Sequence, residues 1–600
     1  MDFFTLVVFT IIVVLGGILY GIVALTRRTR GLGEIDRGIG TVRRLYFYIV
    51  SIVALMMAAN GMALVVGFLL DSLIGPATLT GTSVRLATGL SLTVVGIPLW
   101  VIHWRIVVRQ VVEIPVEERS VIRKVYLYSI LGVSLTFAMS GAIGILEWSF
   151  GTSSFKGWSF AAVAVFTAVW LYHWRLENGE GQSTPETTAV RRLYLYIVSA
   201  VTLIIAASTF AQIINAVLLD AYEIMMATVV LRPGESVPWN DVVRGYLGTA
   251  LVSASVWAIH WLYFARRDVG SLLRSIYVNL LAIFGGIVTV LFALGFLIYG
   301  GLIWVFGVPD EIFASSHFRF APGAITSIIV GLSVAIHHWM VASDEIGIHV
   351  GQADSFRRSY AYAFAGIGLI GLASAIATLV VMIVGIVEVG GEVITGSDLW
   401  RNSLAFTLTM GVIGTPLWGW YWIWIQRRVG TGVLAERIAI PRRILIFAVL
   451  GLGVLALLGA LSYLAFIVFR EFLDGDMSTV LRDSKESIGI IVVAAVFLPY
   501  HWFLYRADRR VTRELVDVSQ DSPRKAVTVI VGDNGMAFVR ELQDALGYGI
   551  SFLQRADPNT ETSDISGLDL QELVQRINNA PVRNVLLIPD VTGVTVLSYR

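Results

Sequence analysis

The sequence predicts an all-α polytopic membrane protein, with about thirteen transmembrane helices followed by a small soluble α/β domain. Three observations predict this fold class. The chain of 600 residues is 56% hydrophobic and only 14% charged, with a mean hydropathy of +0.76, whereas soluble domains are about a quarter charged. Its apolar residues fall in runs long enough to cross a bilayer as helices. Beyond residue 520 these runs are replaced by short apolar segments, which have the patterns of strands and helices in alternation.

The first element is an apolar run from Phe3 to Leu25, which we interpret as a transmembrane anchor within residues 1–30. A secretory signal peptide carries a basic segment before its apolar core and a small-residue cleavage site after it. This run has neither, and it is followed directly by Arg27, Arg28 and Arg30. We therefore expect the anchor to stay in the membrane.

Six repeated helical hairpins are predicted after the anchor. Each begins with basic and aromatic residues, crosses a polar loop and returns as a second apolar helix. The six starts are Arg43-Arg44 with Tyr46 and Tyr48, Arg123-Lys124 with Tyr126 and Tyr128, Arg191-Arg192 with Tyr194 and Tyr196, Arg274 with Tyr277, Arg357-Arg358 with Tyr360 and Tyr362, and Arg442-Arg443 with Leu445 and Phe447. A start that recurs six times indicates an internal repeat.

The second helices of the hairpins also share an ending, Trp-x-x-His-Trp or a variant of it. The six endings are Trp100, His103 and Trp104; Trp170, His173 and Trp174; Trp257, His260 and Trp261; His338 and Trp339; Trp418, Tyr421 and Trp422; and His501 and Trp502. Residues three and four apart lie on one face of a helix. The ending therefore predicts a face of aromatic and histidine side chains on each returning helix.

Pairs of hairpins are predicted to form three four-helix modules at residues 41–182, 189–347 and 355–510. The first and fifth hairpins share Gly-x-Pro-Leu-Trp, starting at Gly96 and Gly414, as expected if modules repeat. Tandem hairpins with the Arg-Arg-x-Tyr-x-Tyr start resemble a bacterial family of four-helix membrane modules that is a domain of unknown function. The resemblance implies the four-helix grouping, and it implies no activity, substrate or catalytic residue.

Arginine and lysine concentrate in the loops that join one hairpin to the next, whereas the alternate loops carry fewer of them. Basic loops stay on the cytoplasmic side of a membrane. We therefore expect a multi-pass protein of the bacterial plasma membrane, with its N-terminus outside and its C-terminus in the cytoplasm.

The repeated histidines are the candidate cofactor-binding residues, namely His103, His173, His260, His338 and His501. A histidine face can ligate haem, hold a metal or relay protons. The competing interpretation is an aromatic belt at the membrane interface, and it accounts for the Tyr421 variant as well. We therefore predict no cofactor and no metal, with a haem- or quinone-binding redox protein as an alternative. With no cysteine in the chain, thiolate sites are excluded.

The basic, tyrosine and tryptophan residues of the motifs are predicted to anchor helix ends among lipid headgroups, where amphipathic side chains are favoured. The predicted anchors are Arg43, Arg44, Tyr46, Tyr48, Trp100, Trp104, Arg191, Arg192, Tyr194, Tyr196, Trp257, Trp261, Arg357, Arg358, Trp418 and Trp422.

Three polar residues lie deep within the predicted helices, and none of them is charged: Asn60, Gln212 and Asn215. Ion-coupled carriers and proton pumps place charged residues at this depth, so the sequence disfavours both. Asn60, Gln212 and Asn215 are expected to bond neighbouring helices. The alternative is contact with the substrate of a facilitator or permease for a neutral or lipid-like molecule.

The C-terminal residues 520–600 predict a soluble α/β domain with strands near Ala526–Val531, Ile550–Leu553, Asn584–Ile588 and Val594–Ser598. No catalytic motif accompanies it, and a net charge of +1 gives no basis for nucleic-acid binding. Our leading hypothesis is a non-enzymatic scaffold or assembly protein. Its partners would be the lipid bilayer and a cytosolic or membrane protein bound through the C-terminal domain.

Overall fold

The computed structural model describes most of the chain. The described residues are 37–75, 82–180, 184–226, 241–266, 268, 271–346, 350–388, 399–430, 434–437, 439–475, 477–520, 525–531, 536–554, 570–590 and 593–599. The predicted anchor at Phe3–Leu25 lies outside them. The chain divides into two compact units, one formed by Met1–Trp422 with Ser478–Gly489 and the other by Ile423–Met477 with Ile490–Arg600.

Within these ranges the structure contains twelve long helices, two for each of the six predicted hairpins. They are α1 (Arg37–Ile74), α2 (Thr82–Glu113), α3 (Val121–Ser149), α4 (Gly157–Gly179), α5 (Pro185–Met225), α6 (Asp241–Phe264), α7 (Leu272–Phe306), α8 (Ala321–Ile346), α9 (Val350–Glu388), α10 (Leu399–Gly430), α11 (Ile440–Asp474) and α12 (Val480–Gln520). Short helical turns at Pro115–Arg119, Ala314–His317, Phe318–Phe320 and Leu434–Arg437 lie in the connections.

Ten of these twelve helices are long and apolar enough to cross a membrane, judged by length and composition. The exceptions among the described helices are α4 and α10, which are rich in tryptophan and tyrosine. The prediction of about thirteen spans counted these two helices and the N-terminal anchor as well. The described residues therefore support repeated apolar helices and leave the number thirteen without support.

The helices of a hairpin approach closely where glycine removes a side chain. In α7, a Cβ at Gly286 would lie 2.6 Å from the carbonyl oxygen of Gly331 in α8. In α2, a Cβ at Gly96 would lie 2.5 Å from the amide nitrogen of Ala58 in α1. Small residues allow backbones to meet in this way when helices pack in lipid. The same pairing extends between hairpins, because α1 packs against α4 and α5 packs against α8.

The C-terminal region folds as a small sheet with two helices, in the order that the sequence predicts. Its elements are β1 (Ala526–Val531), α13 (Met536–Leu546), β2 (Ser551–Gln554), α14 (Leu570–Asn578), β3 (Asn584–Asp590) and β4 (Gly593–Tyr599). The strands lie in the order β2-β1-β3-β4, with β1 parallel to β2 and β3, and β4 antiparallel to β3.

The core of this domain lies on one face of the sheet. Val527, Val529 and Val531 of β1 are buried with Leu542 of α13 and Ile577 of α14. Strand residues alternate between the two faces of a sheet, so both described helices cover the same face. The apolar residues at the intervening positions point to the opposite face.

Candidate functional site: a tryptophan–tyrosine–histidine ladder

The five repeated histidines share one hydrogen bond. In each of them the ring Nδ1 lies 2.8–2.9 Å from the carbonyl oxygen of the residue four positions earlier. A carbonyl only accepts, so Nδ1 carries the proton and Nε2 is the acceptor of the neutral ring. The five pairs are His103 with Leu99, His173 with Val169, His260 with Val256, His338 with Val334, and His501 with Phe497.

At two places a tyrosine hydroxyl joins three helices. The indole Nε1 of Trp170 donates to the hydroxyl of Tyr194 at 3.3 Å, and that hydroxyl lies 3.2 Å from Nε2 of His260. Because Nε2 is an acceptor, the hydroxyl of Tyr194 accepts a hydrogen bond from Trp170 of the second hairpin and donates one to His260 of its own hairpin. We call such a set of Trp, Tyr and His a rung, and the succession of rungs the ladder.

The next rung repeats this geometry one hairpin further along the chain. Trp257 Nε1 donates to the hydroxyl of Tyr277 at 2.8 Å, and that hydroxyl lies 3.3 Å from Nε2 of His338. His260 and Tyr277 both lie in π-helical turns, Ile259–Phe264 and Ile276–Phe284. Such turns widen a helix locally and are common at specialised sites.

The rung between the first and second hairpins has the same residues but lacks these hydrogen bonds. Tyr126 and His173 are each 1% exposed, and their ring centroids lie 6.0 Å apart. Within the described part of the chain, Trp100 Nε1, the Tyr126 hydroxyl and His173 Nε2 make no hydrogen bond of standard geometry, although Trp100 lies close enough to the Tyr126 hydroxyl for a weak one. This rung is open, whereas the rungs at Tyr194 and Tyr277 are closed.

The second tyrosine of each start contacts the first tyrosine of the next hairpin. Ring centroids are 5.0 Å apart for Tyr48 and Tyr126, 5.2 Å for Tyr128 and Tyr194, and 5.9 Å for Tyr196 and Tyr277. In the fourth hairpin this position is Asn279, whose Oδ1 accepts a hydrogen bond of 2.6 Å from the hydroxyl of Tyr360. The first helices of five consecutive hairpins are therefore joined in series.

Sequence reasoning missed these contacts, although the sequence carries a signal for them. Residues two apart on a helix point about 200° away from each other. A Tyr-x-Tyr start therefore presents one ring to the preceding hairpin and the other ring to the following hairpin. An interfacial belt has no need for two opposite faces, and the alternation could have separated the two interpretations.

The basic residues of the starts are held by carboxylates that lie in the last part of the second helix of the same hairpin or just after it. The ion pairs are Arg44 with Glu117, Arg123 with Glu180 at 2.6 Å, Lys124 with Glu180 at 2.9 Å and Glu177 at 3.4 Å, Arg192 with Asp268 at 2.7 Å, and Arg442 with Asp508 at 2.6 Å. Arg123 and Arg442 are each 1% exposed. These pairs close each of the four hairpins at its basic end.

Several residues predicted as lipid anchors lie inside the protein. The buried ones are Tyr48, Trp104, Tyr194, Tyr196, Trp261 and Trp422. The half-buried ones are Arg44, Trp100, Arg192, Trp257, Arg358 and Trp418, and the exposed ones are Arg43, Tyr46 and Arg191. The side chain of Arg357 lies outside the described residues. Lipid contact stays a prediction for the exposed residues.

The three deep polar residues do not meet in one site. The side-chain nitrogen of Asn60 donates to the carbonyl oxygen of Met56 on its own helix at 2.8 Å. Gln212 is exposed and Asn215 is half-buried on α5. Asn215 Oδ1 lies 3.5 Å from the position that a Cβ would take at Gly323 of α8. Asn215 thus lies next to α8 at a position where that helix has a glycine.

At His260 and His338, two of the five candidate histidines, the geometry is more typical of a structural joint than of a cofactor site. In His260 and His338 both ring nitrogens are engaged, one by a carbonyl and one by a tyrosine. Haem ligation at either ring would first have to displace the tyrosine. Among the described residues there is no group of three or more His, Asp or Glu side chains arranged to hold a metal ion. The ladder therefore fixes the register of neighbouring hairpins.

Comparison with known proteins gives one match. The model of a family described as a domain of unknown function, DUF5671, matches residues 44–153, 157–233 and 358–496. Two of these segments begin within a basic pair, at Arg44 and at Arg358. No curated protein and no solved structure matches the chain. Since the matched segments cover more than half of the residues, the chain belongs to the DUF5671 family, whose model it matches three times.

Proposed function

We propose that this chain is a multi-pass membrane scaffold, whose C-terminal domain binds a partner protein. The observation that carries the proposal is the face of the C-terminal sheet opposite its two described helices. That face carries Ile530, Leu553, Leu586, Leu597 and Tyr599. Leu553 is 57% exposed, Leu597 44% and Tyr599 43%.

Neither of the two described helices covers this apolar face of the sheet. Soluble domains rarely expose contiguous apolar patches unless a partner binds there. The described polar contact on this face is weak, since the hydroxyl groups of Thr528 and Tyr599 lie 3.4 Å apart. The partner that fits is a cytosolic protein with an apolar helix or sheet surface, because burying the patch removes apolar area from water.

Membrane insertion is supported by the surface of the long helices. In α11, Leu455 and Phe469 are each 67% exposed and Leu473 is 81% exposed. Lipid accepts such a surface, whereas water does not. We place the helices in the bacterial plasma membrane with the basic loops and the C-terminal domain in the cytoplasm and the N-terminus outside.

We group the hairpins in three four-helix modules at 41–182, 189–347 and 355–510. Packing of α1 against α4 and of α5 against α8 supports the first two modules. In the first module, the amide of Gly157 in α4 donates to the carboxylate of Asp71 in α1. Closed four-helix units joined by a ladder suit a scaffold, because they resist relative movement of the hairpins.

Native mass spectrometry of the protein, purified gently from its own membranes, tests the proposal. We expect a bound partner protein in stoichiometric amount, and we expect Leu597→Asp to abolish binding by placing a charge in the apolar patch. The matched control is Glu541→Arg, which reverses an exposed charge on α13 and leaves the sheet unchanged. Unchanged partner binding by Leu597→Asp, or no partner on the wild-type protein, would contradict the scaffold function.

A further inference from the structure

A groove of about 440 Å³ lies between α7 and the start of α8. Its walls include Thr289, Phe292 and Phe296 on one side, and Phe320, Gly323 and Ser327 on the other. Phe292 is 68% exposed and Phe296 64%, so the groove opens sideways rather than into the protein. Its volume is in the range of small-molecule sites.

The two hydroxyl groups in the walls have hydrogen-bond acceptors on their own helices. The hydroxyl of Thr289 donates to the carbonyl oxygen of Gly285 at 2.9 Å, and that of Ser327 to the carbonyl oxygen of Gly323 at 2.8 Å. Each hydroxyl therefore bonds its own helix. What remains is an apolar surface that suits a hydrocarbon chain, and it offers little to a polar solute.

An arginine precedes one wall residue of the groove in the sequence. Phe320 is preceded by Arg319, whose side chain is 64% exposed and whose Nη2 contacts Glu223 at 2.7 Å. A guanidinium has five N–H donors, and a single contact with one carboxylate leaves donors facing outwards. Arginine binds phosphate through this fork of donors. The groove thus has an apolar body and a cationic end.

Polar and aromatic side chains indicate that the same end of the groove lies at the depth of the lipid headgroups. The imidazole of His317 lies 5.3 Å from the ring of Trp304, and its Nε2 lies 2.9 Å from the carbonyl oxygen of Gly300. Amphipathic rings of this kind are favoured where hydrocarbon meets headgroups. The stretch from residue 288 to 296 then extends roughly 12 Å from there into the hydrocarbon.

We propose that this groove binds one phospholipid, with an acyl chain between α7 and α8 and the phosphate at Arg319. The site lies in the leaflet opposite the basic loops. The proposal rests on membrane insertion as argued above, and it is independent of partner binding by the C-terminal domain. The apolar groove matches an acyl chain and the guanidinium matches a phosphate, and these two features together select a phospholipid as the occupant.

The test is a lipid titration followed by native mass spectrometry, with the full chain in detergent and phosphatidylglycerol of 16-carbon chains as the probe. Ser327→Phe fills the groove, and we expect it to weaken the tightest lipid adduct by about tenfold or more. Ile325→Phe adds the same ring at an exposed position of α8 outside the groove, and we expect it to bind as the wild type does.

A second pair of variants tests the phosphate contact. Arg319→Gln should weaken binding several-fold, with partial recovery in Arg319→Lys. Arg85→Gln should not weaken it, although Arg85 also contacts a single carboxylate, that of Asp71. Should Ser327→Phe fail to fold, Thr289→Trp fills the groove from an exposed position on α7 and carries the same expectation.

Two results would overturn the lipid site. One is equal lipid binding by the wild type, Ser327→Phe and Thr289→Trp. The other is a dimer of the wild type that Ser327→Phe dissociates, since the occupant would then be a second copy of the chain. A carbonate wash of the membranes separates this failure from failure of membrane insertion, because a protein that is not inserted is released without detergent.

Discussion

The second and third hairpins begin with similar sequences, yet the structure stabilises them differently. In the second hairpin, Arg123 and Lys124 are buried and face two carboxylates, while the rung at Tyr126 is open. In the third hairpin, the side chain of Arg192 is 36% exposed, while the rung at Tyr194 is closed.

Corresponding positions of the two hairpins are thus occupied by residues of the same types, whereas the polar contacts that these residues make differ. A buried ion pair is costly to break, because removing one partner leaves the other charge buried without compensation. A half-exposed ion pair is screened by solvent. Loss of an ion pair should therefore cost more in the second hairpin, and loss of the tyrosine hydroxyl should cost more in the third.

Replacing arginine by methionine should give the largest contrast between the two hairpins. Arg123→Met leaves Glu177 and Glu180 facing the single ammonium of Lys124, and a broken buried pair costs about 3–5 kcal/mol. Arg192→Met should cost about 1 kcal/mol or less, because Asp268 keeps its hydrogen bonds from Tyr196 and Ser271. Unfolding free energies from detergent titrations measure both variants.

The double variant Arg123→Met with Glu180→Gln is the control for this comparison. Removing one charge of each sign restores neutrality, so we expect part of the lost stability to return. Equal losses for Arg123→Met and Arg192→Met would show that burial does not separate the two hairpins.

Removing one hydroxyl should give a smaller contrast. Tyr194→Phe leaves the indole of Trp170 and Nε2 of His260 without a partner, which costs about 1–3 kcal/mol. Tyr126→Phe removes a hydroxyl that has at most a weak hydrogen bond with Trp100 and none with His173, so the loss of stability should be smaller than that of Tyr194→Phe. The same titration measures both variants, and a larger loss for Tyr126→Phe would mean that the rung at Tyr126 is closed in the membrane.

Much of the fold follows from the sequence, because both signals behind it are local. Runs of apolar residues set the helices, and the recurrence of basic and aromatic starts sets the six hairpins. The α/β order of the C-terminal domain follows from its alternating segments in the same way. These features depend on residues that are neighbours along the chain.

The candidate site was harder to predict, because its contacts join residues of different hairpins. Trp170 and Tyr194 meet over 24 positions, and Tyr194 and His260 over 66. The sequence alone gives no distance between hairpins, and it therefore predicts only an interfacial belt for these aromatic residues. Likewise, the acidic residues that hold Arg123 and Arg442 carry no motif of their own.

The junction between the fourth and fifth hairpins gives the mildest test of the ladder. Here Asn279 takes the place of a tyrosine, and the hydroxyl of Tyr360 donates to its Oδ1. Tyr360→Phe removes one hydrogen bond, with an expected cost of about 0.5–1.5 kcal/mol. Asn279→Tyr restores the residue found in the first three starts and replaces the hydrogen bond by ring contact. If the ladder tolerates either kind of contact, the unfolding free energy of Asn279→Tyr should lie closer to the wild type than that of Tyr360→Phe. The reverse order would mean that this junction has become specific for the amide and no longer follows the tyrosine pairing of the earlier hairpins.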